Sequence, residues 1–214
     1  MQDYGNSSYW DERYAASNGE IFDWYQSYQN LKSQLLPYLN VDSEFEILIP
    51  GCGNSSMGAE LYDDGFLNIT NIDVSSVVIN QMGDLYADRE EMEYTTMDAR
   101  NLEFLPDDCF NLIIDKALLD AQLCSVENIH NVNSMLTEMH RVLKPGGVFL
   151  AISHGLPPTR LSYMNSKSLN WQVEFKKIAA PKGELQEGGE GGGGGGGGGG
   201  ESHFLYIAKK SMSK

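Results

Sequence analysis

Apolar and polar residues alternate in short blocks along the chain, and these blocks predict strands that are separated by helices. Apolar runs predict five buried strands, in residues 44–50, 68–73, 94–97, 109–115 and 148–152. Apolar residues at helical spacing predict four helices, in residues 28–39, 57–62, 74–85 and 131–143. Strands that alternate with helices are typical of an α/β fold with a doubly wound, mostly parallel sheet.

The last part of the chain has a different pattern. Residues 170–178 and 203–209 read as strands without a helix between them, so we predict an antiparallel C-terminal strand pair and a seven-stranded sheet. The connection, residues 187–202, contains an unbroken run of glycines. Polyglycine has high backbone entropy and no side chain to bury, so we predict a flexible surface loop. The length of 214 residues suits a single domain over residues 1–214.

Composition and charge narrow the choice of partners. The hydrophobic fraction of 41% can fill one core, and no apolar run approaches the roughly 20 residues that span a bilayer, so we expect no membrane partner. The net charge of −15 repels phosphate backbones and attracts cationic protein surfaces, although solubility alone also explains it. We therefore expect no nucleic acid. The first residues lack a targeting pattern, which predicts a cytosolic or nuclear address, of which we expect the cytoplasm.

Cysteines and histidines give no sign of a metal or disulfide framework. The three cysteines form no CxxC pair, and the four histidines form no HExxH pattern. We therefore predict reduced thiols and no metal site.

A glycine turn is the first candidate for chemistry. Gly51-Cys52-Gly53 follows a predicted strand and opens a predicted helix, where glycines let the backbone come close to a ligand. Nicotinamide and flavin enzymes use the same geometry, but their GxGxxG pattern would need a glycine at Ser56.

Two acids at strand ends predict an adenosine pocket beside this turn. Asp73 ends the second strand, where it would accept hydrogen bonds from a ribose diol, unless it is a surface turn residue. Asp98 ends the third strand and would accept from an adenine amine, with the backbone amide of Ala99 beside the ring. A helix-capping role is the alternative for Asp98.

Further motifs carry a resemblance to a known family. Lys144-Pro145-Gly146-Gly147 before the fifth strand, followed by an antiparallel pair, resembles the seven-strand, class I methyltransferases that use S-adenosylmethionine. Four more specific sequence motifs occur along the chain in this order: Tyr9-Trp10-Asp11-Glu12-Arg13-Tyr14, Phe22-Asp23-Trp24-Tyr25, Ile49-Pro50-Gly51-Cys52-Gly53-Asn54-Ser55, and Asp115-Lys116 with Leu119-Asp120-Ala121. The set resembles the methyltransferase-like family that modifies lysines on translation elongation factor 1-alpha, and its mitochondrial relative that acts on citrate synthase. It covers about residues 7–153 and the last strand.

The resemblance implies a cofactor, S-adenosylmethionine, and a set of residues that bind it. It makes residues 1–40 a cofactor lid followed by a helix. The implied contacts are Trp10 and Tyr14 as the lid, Trp24 as a wall, Gly51 and Gly53 at the methionine moiety, Asp73 with Val74 at the ribose, Asp98 with Ala99 at the adenine, and Lys116 closing the site. Aromatic rings stabilise a sulfonium cation, but Trp10 and Trp24 also suit an ordinary core.

The resemblance further implies a protein-lysine N-methyltransferase that acts as a monomer on elongation factor 1-alpha or a similar basic protein. Asp115 and Asp120 are the nearest acids that could steer the amine or relay its proton. The alternatives are a strand-end cap for Asp115 and a helix-face residue for Asp120.

One departure from the family keeps other functions open. Where relatives commonly have Lys-Gly-Thr-Leu-Asp-Ala, this chain has Ala117-Leu118 in place of Gly-Thr. A small-molecule methyltransferase and a cofactor-binding module without turnover are therefore alternatives. Ser56 and the Lys-Pro-Gly-Gly segment argue against a nicotinamide dehydrogenase, and no mitochondrial presequence is visible.

Overall fold

A computed structural model describes residues 4, 6–17, 19–125, 127–179 and 202–212. Seven strands form one sheet in the order β3-β2-β1-β4-β5-β7-β6. Their bounds are β1 Ile47–Pro50, β2 Ile69–Asp73, β3 Met92–Thr96, β4 Phe110–Lys116, β5 Leu143–Ser153, β6 Trp171–Ile178 and β7 His203–Lys210. The helices are α1 Ser7–Ala16, α2 Tyr28–Leu35, α3 Met57–Asp63, α4 Ser76–Leu85, α5 Leu118–Leu123, α6 Asn128–Val142 and α7 Pro157–Met164.

The pairing of the strands confirms the predicted fold class. Strands β1 to β5 run parallel, while β7 is antiparallel to both β5 and β6. The order of the parallel strands reverses between β1 and β4, which are neighbours in the sheet but not in sequence. In an open α/β sheet, this switch point creates a crevice beyond the carboxyl ends of the strands.

Helices cover both faces of the sheet. On one face, α6 buries the apolar side chains that the sequence places at helical spacing, namely Val132, Met135, Leu136 and Met139. On the other face, α2 and α3 bury Leu31, Leu35, Met57 and Leu61. Full burial of one such side chain stabilises the fold by about 1.5–3 kcal/mol, so the two layers fix where the strand ends lie.

The predicted segments differ from the observed elements mainly at their ends. The α-helix predicted over residues 28–39 ends at Leu35 and continues as a 3-10 turn, Leu36–Tyr38, because Pro37 has no backbone N–H to donate. Helix α6 ends at Val142, so the Lys-Pro-Gly-Gly segment belongs to the start of β5. The pairing of β4 with β5 is irregular at this point, because Phe110 pairs with Leu143 but Leu112 pairs with Val148. Within this irregular part of β5, Gly146 has a φ of 80°.

Helices α5 and α7 were not predicted as helices, and α1 was described only as an aromatic-rich segment. No helix in the described part of the chain combines the length and apolar character that crossing a membrane requires. The glycine-rich segment 187–202 lies outside the described residues, except for Ser202. The assignment of residues 1–214 to one domain stays a prediction.

Candidate functional site

A cavity lies at the switch point, where the carboxyl ends of β1, β2 and β4 face the N-terminal segment. It brings together every residue that was predicted to bind the cofactor: Trp10, Tyr14, Trp24, Gly51, Gly53, Asp73, Val74, Asp98, Ala99 and Lys116. Asp120 also lines the cavity, whereas Asp115 is not among its lining residues. The roles of these residues stay predictions.

The glycine turn after β1 forms the floor of the cavity. Gly51 and Gly53 have φ values of 61° and 53°, a conformation that favours glycine. A Cβ atom on Gly53 would lie 2.7 Å from Oη of Tyr14, and one on Gly51 would lie 2.9 Å from Cδ1 of Leu118. A larger residue at either position would therefore strain the backbone and force the side chain of Tyr14 or Leu118 to move.

Asp73 lies directly under this turn. Its two carboxylate oxygens accept backbone N–H groups, one from Gly53 and one from Ser75, each at 3.0 Å. Burial raises the pKa of Asp73 to about 6, so the group is largely ionised at neutral pH. Each carboxylate oxygen has a second lone pair, which suits Asp73 to accept hydrogen bonds from two neighbouring hydroxyls.

Asp98 lies in the loop after β3 and is held by a neighbour that the sequence did not single out. Nε of Arg100 contacts both carboxylate oxygens of Asp98, at 2.9 and 3.0 Å, and Nη2 lies 2.7 Å from one of them. Burial would raise the pKa of Asp98, but the hydrogen bonds and charge of Arg100 outweigh it and lower the pKa. Asp98 is thus a fixed anionic acceptor, beside the buried Ala99.

Aromatic rings of the N-terminal segment form the opposite wall. Trp10 and Tyr14 lie one helical turn apart on α1 and stack with 5.8 Å between ring centroids. Trp24 packs edge-on against Phe22. The guanidinium carbon of Arg13 lies over the Trp24 ring, 5.2 Å from the ring centroid. Tyr14 is buried, but Trp10 and Trp24 remain partly exposed and line the cavity. Their placement fits a cavity wall better than an interior core.

A short segment crosses the cavity and is tied to the sheet; we name residues 20–26 the strap. Nζ of Lys116, at the end of β4, donates to Oδ1 of Asp23 at 2.7 Å, and Oγ of Ser55 donates to the same oxygen at 2.5 Å. The Lys116 side chain is 6% exposed. Burial lowers the pKa of Lys116, although Asp23 opposes the shift. Asp23 belongs to one of the family motifs in the sequence, but no role was predicted for it.

Asp115 lies below the cavity and holds the start of α5. Its carboxylate accepts the backbone N–H groups of Leu118 at 2.8 Å and Leu119 at 3.0 Å. Burial, together with the charge of Asp120, raises the pKa of Asp115 to about 8. This placement favours the capping interpretation over direct contact with a substrate.

Asp120 is the centre of a polar network at the cavity. One carboxylate oxygen accepts from Oγ of Ser153 at 2.5 Å and from Nε of Arg160 at 2.9 Å. The other accepts from the hydroxyl of Tyr25 at 2.9 Å and from the backbone N–H of His154 at 3.0 Å. Burial alone would raise the pKa of Asp120, but hydrogen bonds from the side chains of His154 and Ser153, together with the charge of Arg160, lower it to about 2. Asp120 is therefore anionic at any physiological pH.

No role was predicted from the sequence for His154 or Arg160, which both belong to this network. His154 lines the cavity directly after β5 ends, so the post-strand position that singled out Asp73 could have singled it out too. Arg160 lies on α7, which was not predicted. Among the described residues, no group of three or more His, Cys, Asp or Glu side chains is placed to hold a metal ion.

Comparison with known proteins agrees with this geometry. Residues 48–151 match a family described as a methyltransferase domain. EEF1A lysine methyltransferase 4 of Mus musculus is 34% identical over 180 residues, which cover 79% of this chain and 69% of the relative. The chain belongs to the same methyltransferase family. This membership argues against the nicotinamide dehydrogenase and confirms the resemblance drawn from the motifs.

Other relatives are longer than this chain. The eEF1A lysine and N-terminal methyltransferase of Mus musculus is 38% identical over 190 residues, which cover 87% of this chain but 27% of the relative. The chain thus spans about a quarter of that protein. Among solved structures, a SAM-dependent methyltransferase from Methanosarcina mazei covers 90% of this chain, with a TM-score of 0.62 and 19% identity. One from Mesorhizobium loti covers 85%, with a TM-score of 0.61 and 14% identity. These two likenesses concern the fold.

Proposed function

We propose that this chain transfers a methyl group from S-adenosylmethionine to a lysine side chain of a protein, elongation factor 1-alpha or a similarly basic one. The observation that carries the proposal is the cavity at the switch point, because all ten predicted cofactor residues line it. Relatives with up to 38% identity are named for lysine methylation of that factor, which supports the same substrate class here.

The cavity residues fit S-adenosylmethionine part by part. Asp73 would accept from the ribose hydroxyls beside Val74, and Asp98 from the adenine amine beside Ala99. The turn at Gly51 and Gly53, where a Cβ atom would press on Leu118 or Tyr14, would hold the methionine moiety. The remaining contacts are the rings of Trp10, Tyr14 and Trp24, and Lys116 at the closing edge. When bound, the cofactor supplies a methyl group on a cationic sulfur, a charge that aromatic faces stabilise.

The contribution of the protein to the reaction is orientation and exclusion of water. The amine must lie about 3–3.5 Å from the methyl carbon, in line with the bond that breaks. A free lysine amine has a pKa of about 10.4, and burial against aromatic rings favours its neutral, nucleophilic form. Asp120 is the acid of the network that lines the cavity, while Asp115 supports it by holding α5.

The charge of the whole chain suggests its partner. A net charge of −15 favours encounter with a basic protein surface and disfavours nucleic acid. We propose a monomer that acts in the cytoplasm, on a soluble protein substrate.

Two measurements test the proposal. Titration calorimetry with S-adenosylmethionine on D73A tests the cofactor site, because loss of a charged acceptor costs about 1.5–3 kcal/mol per hydrogen bond. We expect affinity to fall by at least about 10-fold, against no change in D88N, whose side chain is 79% exposed. Undiminished affinity in D73A would refute the ribose assignment.

The second measurement separates the alternative activities. The protein is incubated with tritiated S-adenosylmethionine and size-fractionated cell extract, and the label is located by gel. A labelled protein band of the size of elongation factor 1-alpha supports the proposal. Label in the low-molecular-weight fraction alone supports a small-molecule methyltransferase, and cofactor binding without any label supports a binding module.

A further inference from the structure

The side-chain amide of Gln122 is buried in the wall of the cavity, and its oxygen has no partner. Gln122 is 8% exposed. Oε1 is one of the buried side-chain atoms that have no hydrogen-bond partner in the described part of the chain. Of these atoms, only Oε1 of Gln122 belongs to a residue that lines the cavity. Because buried polar groups in folded proteins nearly always have a partner, an unpaired one at a binding cavity points to a ligand.

The backbone of Gln122 is held in place, so its side chain is presented from a fixed position. Its carbonyl oxygen accepts the backbone N–H of Ser125 at 3.2 Å and Oγ of the same serine at 2.6 Å. Nδ2 of Asn131, from α6, donates in turn to Oγ of Ser125 at 2.9 Å. These contacts tie the end of α5 to α6 and leave the side-chain amide of Gln122 available.

The position of Gln122 on α5 places it toward the predicted adenine contacts. Leu118, one helical turn earlier on the same face, borders the glycine turn, because a Cβ atom on Gly51 would lie 2.9 Å from its Cδ1. The helix then advances by about 5.4 Å in one turn. Leu119, three residues before Gln122, packs in the same apolar cluster as Ala99. The amide of Gln122 therefore lies toward the loop after β3 and away from the glycine turn.

Adenine matches the chemistry of this amide. Its amine at C6 has two hydrogens, of which Asp98 would accept one. A carboxylate only accepts hydrogen bonds, whereas a glutamine amide both accepts and donates, so Asp98 cannot serve a ring nitrogen and Gln122 can. A glutamine side chain can contact the N6 amine and N7 of adenine together, the pairing by which proteins read adenine in DNA.

We propose that Gln122 binds the adenine of S-adenosylmethionine along its N6–N7 edge, with Oε1 accepting the second amine hydrogen and Nε2 donating to N7. This inference rests on the proposed function, because it takes the cavity to hold that cofactor. Gln122 was not among the predicted cofactor residues. With it, the base is recognised from two sides, by Asp98 in the loop after β3 and by Gln122 on α5.

The test uses a ligand that differs only at N7. In 7-deaza-S-adenosylhomocysteine a C–H group replaces N7, so the Nε2 donor loses its acceptor while the amine at C6 remains. We expect titration calorimetry of the full chain to show this ligand binding about 10-fold more weakly than S-adenosylhomocysteine, because a donor is left unpaired in a buried site.

The variant Q122M keeps the length of the side chain but removes both polar atoms. We expect it to bind S-adenosylhomocysteine about 10-fold more weakly than the wild type, and to bind the two ligands within about threefold of each other. The matched control is Q172M, because Gln172 is exposed on β6 and is not among the residues that line the cavity. Q172M should distinguish the two ligands as the wild type does.

The possible outcomes separate this inference from the proposed substrate. Equal affinity of the wild type for the two ligands, or discrimination that persists in Q122M, would overturn the inference. If Q122M binds both ligands like the wild type but has a raised KM for elongation factor 1-alpha, Gln122 contacts the substrate and the inference is also wrong. A wild type that discriminates at N7 yet methylates no protein would support the inference and overturn the proposed substrate.

Discussion

At the scale of single residues, Ala117 occupies a backbone conformation that suits glycine. It has φ 78° and ψ −8° in the turn between β4 and α5. The resembled family commonly has glycine at this position, so the substitution that cast doubt on the substrate also bears on stability. A left-handed conformation costs an L-residue about 1–2 kcal/mol, which a glycine would not incur.

We therefore expect A117G to raise the free energy of unfolding by about 1 kcal/mol in urea titrations. The matched control is A121G, in the same helix but with ordinary helical geometry, which should lower it by about 0.5–1 kcal/mol. A decrease of similar size in both variants would contradict the strain at Ala117.

Asp115 should make stability depend on pH. Its pKa is about 8 in the folded protein, against about 3.9 for a free aspartate. Between these values the folded state holds a proton that the unfolded state has lost, so the free energy of unfolding falls as pH rises from about 4 to about 8. The pKa of Asp73 is also raised, but only to about 6, and burial lowers the pKa of His140, so a variant that removes only the Asp115 carboxyl is needed to isolate its contribution between about pH 6 and 8.

We expect the wild type to lose stability between about pH 6 and 8 and D115N to lose clearly less, because asparagine does not titrate. An asparagine oxygen can still accept a backbone N–H of α5. Denaturant titrations at several pH values measure the difference. Equal slopes in the two proteins would show that Asp115 is already ionised in the fold.

At the scale of elements, the strap is held over the cavity by a nearly buried ion pair. Asp23 and Lys116 are 17% and 6% exposed in their side chains, and removing one partner leaves the other charge uncompensated. We expect D23N to lower the free energy of unfolding by about 2 kcal/mol, and to speed hydrogen exchange in residues 20–26 by about 10-fold or more.

The control for the strap is D107N, which removes the ion pair between Asp107 and Arg141. The Asp107 side chain is 72% exposed. Exposed pairs contribute about 0–1 kcal/mol, so exchange in the strap should not change. If D23N leaves exchange in residues 20–26 unaltered, the ion pair does not hold the strap.

An element could be predicted from the sequence where a run of neighbouring residues has a clear apolar pattern, and not where it depends on contacts between distant residues. The parallel strands β1 and β4 were predictable because both faces are buried and their apolar runs are nearly continuous. Helix α5 has only six residues, so its apolar residues form no helical pattern long enough to detect. It also begins after Ala117, which has a left-handed backbone conformation, and it has no side-chain cap that would mark its start. The contacts of Asp120 with Tyr25 and His154 join distant parts of the chain, and no local pattern reports such contacts.

At the scale of the whole molecule, the fold explains why ten separate predictions converge on one cavity. Parallel strands bring their carboxyl ends to one edge, and the reversal between β1 and β4 opens a crevice there. The motif residues are scattered from Trp10 to Lys116, yet each lies at or just after the end of a strand, or belongs to the N-terminal segment that covers that edge. The net charge of −15 for the whole chain agrees with the proposal of a basic protein as the substrate.

The most direct test of this account is mass spectrometry of unmethylated elongation factor 1-alpha after incubation with the protein and S-adenosylmethionine that carries a deuterated methyl group. We predict a heavy methyl on a lysine-containing peptide, formed by the wild type and reduced by at least about 10-fold with D73A at subsaturating cofactor. An unmodified factor, from a protein that calorimetry shows to bind the cofactor, would contradict the assignment of this substrate.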